Sequence, residues 1–251
     1  MDQQIVYHNN SPDALSKVYM HLYYNAFQPG SMMDVRSRTI ADPDSRVSDR
    51  IAKLSENEIG FQKIINVVNG DKQSLTFTEQ GTILEVILKE PLKSGSSLEL
   101  TLFSKNQVPV QIRRTGRYNK ENVAYSMTQW YPKMCEYDKD GWASNPYVGR
   151  EFHGIWGDFD VKITIDKKYV LGGTGYIQNP QEVGYGYEDP SKKMIATQGE
   201  NLTWHFNAPN VHDFAWAADP NFAHDTTALD NGTILHFIYL KDTLVENWKE
   251  L

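Results

Sequence analysis

The stretch AYSMTQWYPKMCEYDKDGW, residues 124–142, packs two tryptophans, three tyrosines, the chain's only cysteine and three carboxylates into nineteen positions. Several chemistries fit such a set. Glu136, Asp138 and Asp140 followed by Gly141 match the first half of a calcium loop, where alternate carboxylates converge on the ion and glycine makes the sharp turn. The twelfth place of that loop should supply a bidentate glutamate, and Tyr147 stands there. On a strand the same carboxylates would share one face, like the acid and nucleophile that jelly-roll glycosidases hold about 5 Å apart. Lys139 and Gly141 interrupt that strand, and the plain alternative is a solvated turn closed by glycine. The tryptophans, at 130, 142, 156, 204, 216 and 248, could build a sugar-stacking platform or pack into an ordinary core.

Other reactive side chains are less suggestive. Cys135 has Glu136 and Asp138 as neighbours, which raise a thiol pKa, so it reads as a small packed residue. A single cysteine also excludes an internal disulfide framework. Seven histidines are present, but the chain has no H-E-x-x-H, and no two are spaced i, i+4 on a helix or i, i+2 on a strand. His205 and His212 lie seven apart, and His224 neighbours Asp225. The run Gly172-Gly173-Thr174-Gly175 is followed by no helical pattern, so it predicts a hairpin or bulge and not a phosphate cradle.

The elements that must position these residues are strands. Period-two alternation puts Val18, Met20, Leu22 and Tyr24 on one face, and likewise Leu98, Leu100 and Leu102. Phe159, Val161, Ile163 and Ile165 form another such face, as do Leu202, Trp204 and Phe206. TILHFIYL is apolar on both faces apart from His236, as expected of a central strand. Turns punctuate these runs at Asn69-Gly70-Asp71, Ser94-Gly95-Ser96 and Asp230-Asn231-Gly232. The expected fold is all-β, a large antiparallel β-sandwich with one short helix over 47–57, where Val47, Ile51 and Leu54 take helical spacing after a capping serine. A second helical pattern begins at DTLVENWKEL, the last ten residues.

With 251 residues the chain can bury a sizeable core, and a net charge of −7 offers no basic footprint for nucleic acid. No apolar run reaches the roughly 18 residues of a membrane-spanning helix. Sequons at Asn9, Asn201 and Asn231 would matter only in a eukaryotic secretory setting.

Four segments in order, YSMTQWYPKMCEYD, IWGDFDVKITI, TGYIQNP and TWHFNAPNVHDFAWAADPNF, resemble the amino-terminal domain of bacterial aminopeptidase-N-like zinc metallopeptidases, and the early IVYHNNSPDALSKVYMHLYYNAF is similar too. The resemblance implies a saddle-like β-sandwich over 2–240, with 241–251 beginning the linker or first helix of a catalytic domain. It implies that zinc belongs to that other domain, which carries Gly-x-Met-Glu-Asn and H-E-x-x-H, motifs this chain lacks. No cofactor and no catalytic or metal-binding residue is then expected here, and the chain alone is expected to be inactive. Its implied partners are a peptide substrate and the catalytic domain, without nucleic acid or a membrane span; the sequence does not give its compartment, and the resemblance suggests a periplasmic or exported bacterial protein. Thr128-Gln129 match the family's Thr-Gln segment, which lines the pocket for the substrate's first residue, so the resemblance makes Gln129 a substrate contact. Tyr131 stands where many relatives place a Glu or Gln that holds the free α-amino group, and a phenol cannot supply a carboxylate's charge-assisted bond. The alternative to a peptidase domain is a carbohydrate- or protein-binding sandwich module.

Overall fold

The alternating runs form antiparallel ladders whose apolar residues meet. The computed structural model describes residues 1–41, 44–149 and 153–241, in two units: Met1–Gly116 with Gln129–Ile155, and Arg117–Thr128 with Trp156–Leu251.

In the first unit, strand Ser97–Gln107 is flanked by Asp2–His8 and Phe61–Asn69. A second sheet runs Thr76–Gln80, Ile83–Leu92, Leu15–His21, Lys133–Met134. Register places Val18 opposite Val86 and Met20 opposite Leu84, and in the other sheet Val67 opposite Leu102. These six are fully buried and belong to one cluster with Leu22, Ile64, Leu100 and Met134, so the two sheets pack face to face. Each such side chain contributes about 1.5–3 kcal/mol of burial free energy. The register shifts between Ile64 and Asn66, which leaves Ile65 as the extra residue of a bulge and 64% exposed.

A smaller cluster joins Tyr23, Phe27, Met33, Val47, Ile51, Ile112 and Tyr147. Here the helical expectation needs correction. Val47 and Ile51 are buried as their spacing predicts, but the backbone around them makes turns and a single 3₁₀ turn, Ile51–Lys53. Ser48 adopts a left-handed φ of 41°, which an α-helix cannot accommodate. The α-helix of this region lies earlier, at Met32–Thr39, where Ser31 caps by accepting from the Asp34 N–H at 3.2 Å. Its buried face carries Met33, Asp34 and Ser37 while Met32 and Val35 point outward, so apolar spacing could not reveal it. A four-residue helix, Pro180–Val183, occurs in the second unit.

The second unit pairs Gly157–Asp166 with Asn201–Val211, which also pairs with Tyr176–Ile177. Another ladder joins Val170–Gly173, Trp216–Asp219 and Tyr125–Met127. Trp204 and Phe206 are fully buried and parallel, with Phe214 edge-on to Phe206. Buried Asp219 accepts from the Ala124 and Asn221 N–H groups at 2.9 and 2.7 Å. Phe222–Ala228 and Ile234–Leu240 make a two-stranded hairpin. The latter was expected to be a central strand, yet among the described residues it pairs on one side only, leaving Ile234 52% and Phe237 38% exposed. Alternation reports which residues are apolar but not whether anything covers them. The last helical pattern, from residue 242, and with it Trp248, lies outside the described residues. No helix among the described residues is long and apolar enough to cross a membrane.

Candidate functional site

The aromatic and acidic stretch is split by the fold. Its first part is strand Tyr125–Met127 of the second unit, and from Gln129 onward it belongs to the first. Gln129 holds a left-handed φ of 55°, which costs a side-chain-bearing residue roughly 1–2 kcal/mol. Only 2% of Gln129 and 6% of Tyr131 is exposed. Tyr131 meets the Trp130 ring edge-on at 5.5 Å. The backbone beside them is pinned: Gln62 donates through Nε2 to the Trp130 carbonyl at 3.1 Å, and Gln3 does the same to the Pro132 carbonyl at 3.0 Å. Cys135 is fully buried and burial pushes its thiol up to about 12, so it is a packed residue and not a nucleophile.

The acidic residues form a tight hairpin, Tyr137–Asp138 against Gly141–Trp142. Asp138 accepts from the Asp140 N–H at 2.8 Å, Lys139 pairs with Asp140 at 2.7 Å, and Gly141 takes φ 94°. Asp138 and Asp140 thus close the turn on itself. Among the described residues no three His, Cys, Asp or Glu side chains are grouped to hold a metal ion. Trp142 lies among Tyr7, Tyr19 and Tyr137. Among the described tryptophans only Trp156 is well exposed, at 64%, so they form no open stacking row.

The glycine run turns out to line a hollow of about 660 Å³ in the second unit, together with Tyr187, Trp216, His236 and Ile238. Glycine is required there by close approach. A Cβ on Gly172 would come within 3.0 Å of the Ile238 side chain, and one on Gly175, at φ +86°, within 3.0 Å of the Asn207 carbonyl.

Sequence spacing missed a histidine pair of which one member, His236, lines this hollow. His224 and His236 are twelve residues apart, yet the hairpin register places His224 opposite Ile238 and His236 opposite Thr226, bringing the rings together. The Asp230-Asn231-Gly232 turn between two alternating runs was the available signal. Their nitrogens, His224 Nε2 and His236 Nδ1, are 2.9 Å apart, and His224 Nδ1 lies 2.9 Å from the Tyr185 carbonyl. A carbonyl only accepts, so neutral His224 carries its proton on Nδ1 and its Nε2 accepts from His236 Nδ1. That leaves Nε2 of His236 as the lone-pair end of the chain. Partial desolvation of this surface ring, then the neighbouring His224, lowers the His236 pKa. Tyr187 stacks on His236, and burial raises its phenol to about 12.

No protein-family model and no curated protein matches the chain. Solved structures do. A two-domain M1 zinc metallopeptidase variant bound to L-arginine matches at 10% identity with a TM-score of 0.51, over 96% of this chain and 43% of that one. An M1 zinc metallopeptidase variant from Deinococcus radiodurans matches at 10% identity and 0.50, over the same shares. This chain therefore spans less than half the length of these proteins, and the likeness establishes a shared fold.

Proposed function

We propose that this chain is the noncatalytic β domain of a zinc aminopeptidase, framing the cleft in which a peptide's amino terminus is held. The observation that carries the reading is the fold shared along 96% of the chain with part of a two-domain M1 zinc metallopeptidase that binds an amino acid. On this reading zinc and the reacting groups reside in a further domain, and this chain contributes walls. Gln129 then contacts the substrate's first residue. Its strained backbone and pinned neighbours suit a residue held in one place, since left-handed non-glycine positions collect at functional sites. With 2% of the residue exposed, the contact is made by a small part of the amide. Tyr131, equally enclosed, offers no carboxylate to the free amine, so the amine is anchored by the catalytic domain.

The test is made on the intact gene product. It should hydrolyse aminoacyl anilides and lose that activity to a zinc chelator, and its sequence should carry H-E-x-x-H within about two domain lengths of this segment. An intact protein that has neither the motif nor the chelator-sensitive activity overturns the proposal.

A further inference from the structure

A second hollow, of about 340 Å³ in the first unit, has no part in the proposed function. It is lined by His21, Tyr23, Arg36, Tyr147 and His153 among others. His21 stacks on Tyr23 with centroids 5.1 Å apart and planes within 20°, and Tyr147 stands edge-on to Tyr23 at 5.1 Å.

Two of the lining groups lack a well-formed hydrogen bond or ion pair among the described residues. His21 is only 3% exposed, and neither ring nitrogen has a hydrogen bond of good geometry among the described residues; the Ala143 backbone makes only a weak one, the smallest influence on its titration. Buried polar groups are ordinarily paired, because desolvation without a bond is costly. Arg36 has no ion pair and no side-chain hydrogen bond among the described residues, and a Cβ placed on Gly149, at φ +143°, would stand in ordinary contact 3.6 Å from its guanidinium. His153 faces Asp138 at 3.6 Å, and buried Lys133 lies directly across the strand pairing from His21.

From a buried imidazole without a well-formed hydrogen bond and a guanidinium unpaired among the described residues, both lining one tyrosine-walled hollow, we infer a binding site for a small carboxylate with a flat apolar body. The planar Arg36 fork takes the two carboxylate oxygens, a geometry that guanidinium matches better than any other side chain. His21 supplies one further hydrogen bond, and the tyrosine rings face the body. The size suits a small molecule, at the low end for ligand cavities. Burial, then the Lys133 charge, lowers the His21 pKa to about 4, so the imidazole is neutral at pH 7. Arg36 is then the one full charge among the unpaired lining groups, which matches a monocarboxylate and not a phosphate dianion.

The experiment uses the 251-residue chain at pH 7, with benzoate as the probe, benzamide as its neutral counterpart and inorganic phosphate as the competing anion. Calorimetry should show saturable benzoate binding with Kd below about 10 mM, and the His21 ring nitrogen resonances should shift along the same isotherm. Arg36→Gln should weaken binding by at least about tenfold, the worth of one charge-assisted pair. His21→Phe, which keeps the stack on Tyr23, should weaken it by roughly threefold or more. Where Arg36→Gln fails to fold, Arg36→Lys keeps the charge without the fork and should bind less tightly than wild type. Equal binding of benzamide, tighter binding of phosphate, unchanged His21 resonances, or undiminished benzoate affinity in the folded Arg36 variant would each overturn the proposal.

Discussion

His21 sets a pH dependence that can be worked out from its surroundings. Its folded pKa of about 4 lies below the unfolded value near 6.5, because burial and then the Lys133 charge disfavour the imidazolium. As pH falls from 7, the unfolded chain takes the proton first. Stability that is complete above about pH 6.5 is therefore lost progressively down to about pH 4, by up to about 3 kcal/mol. His236 titrates in the same direction. Urea unfolding at pH 7 and pH 4.5 should show this loss in the wild type and a smaller one in His21→Phe; parallel losses would refute it. The glycines of the second unit make a sharper pair. At Gly175 both φ and the Asn207 backbone oppose a side chain, so Gly175→Ala should cost about 2–5 kcal/mol. At Gly172 the obstacle is the far end of Ile238, a movable group, and the cost should be only about 1–3 kcal/mol. Ile238→Val removes the obstructing Cδ1, so it should recover part of the Gly172→Ala loss in a thermal melt; additive losses would place the obstacle elsewhere.

Among elements, the helix Met32–Thr39 is held by polar contacts rather than by an apolar stripe. Asp34 is fully buried, accepts from Arg38 at 2.9 and 3.0 Å and from the Gly30 N–H at 2.8 Å, and has its carboxyl held below the usual range despite burial. Asp34→Ala should therefore cost about 1–3 kcal/mol, against 0.5–2 for Ser31→Ala at the cap. Equal stability of Asp34→Ala and wild type by urea midpoint would refute that ordering. This helix also marks the limit of what sequence made legible. Strands whose alternation is met by a facing sheet, such as the one carrying Val18 and Met20, were readable because their burial follows from period two. The helix was not, since its buried positions include Asp34 and Ser37 and its outward ones Met32 and Val35. The run at 234–240 failed in the opposite sense: its apolar residues are real, but the described chain leaves two of them, Ile234 and Phe237, uncovered. Likewise, Gln129 and Tyr131 were named by resemblance to a family, and nothing in their spacing announced them, whereas the pair His224 and His236 followed from a turn that spacing rules within one element ignore.

For the whole molecule, the question is whether these sheets serve a peptidase cleft, and Gln129 offers a test that separates side chain from backbone. In the intact protein, Gln129→Ala removes an amide whose neutral hydrogen bond is worth on the order of 0.5–1.5 kcal/mol, so kcat/KM should fall roughly three- to tenfold. Zinc content should be unchanged, and the loss should vary with the side chain of the substrate's first residue, since a pocket wall discriminates among substrates. Gln129→Gly removes the same amide but also suits the left-handed φ of 55°, so it should be more stable than Gln129→Ala by about 1 kcal/mol. If Gln129 touches substrate, the two variants lose kcat/KM equally while their melting temperatures differ. If it only satisfies groups inside its own unit, both lose stability, and kcat/KM of the folded fraction stays at the wild-type value for every substrate. That second pattern would strike Gln129 from the site, and with it the part of the cleft assigned to this chain.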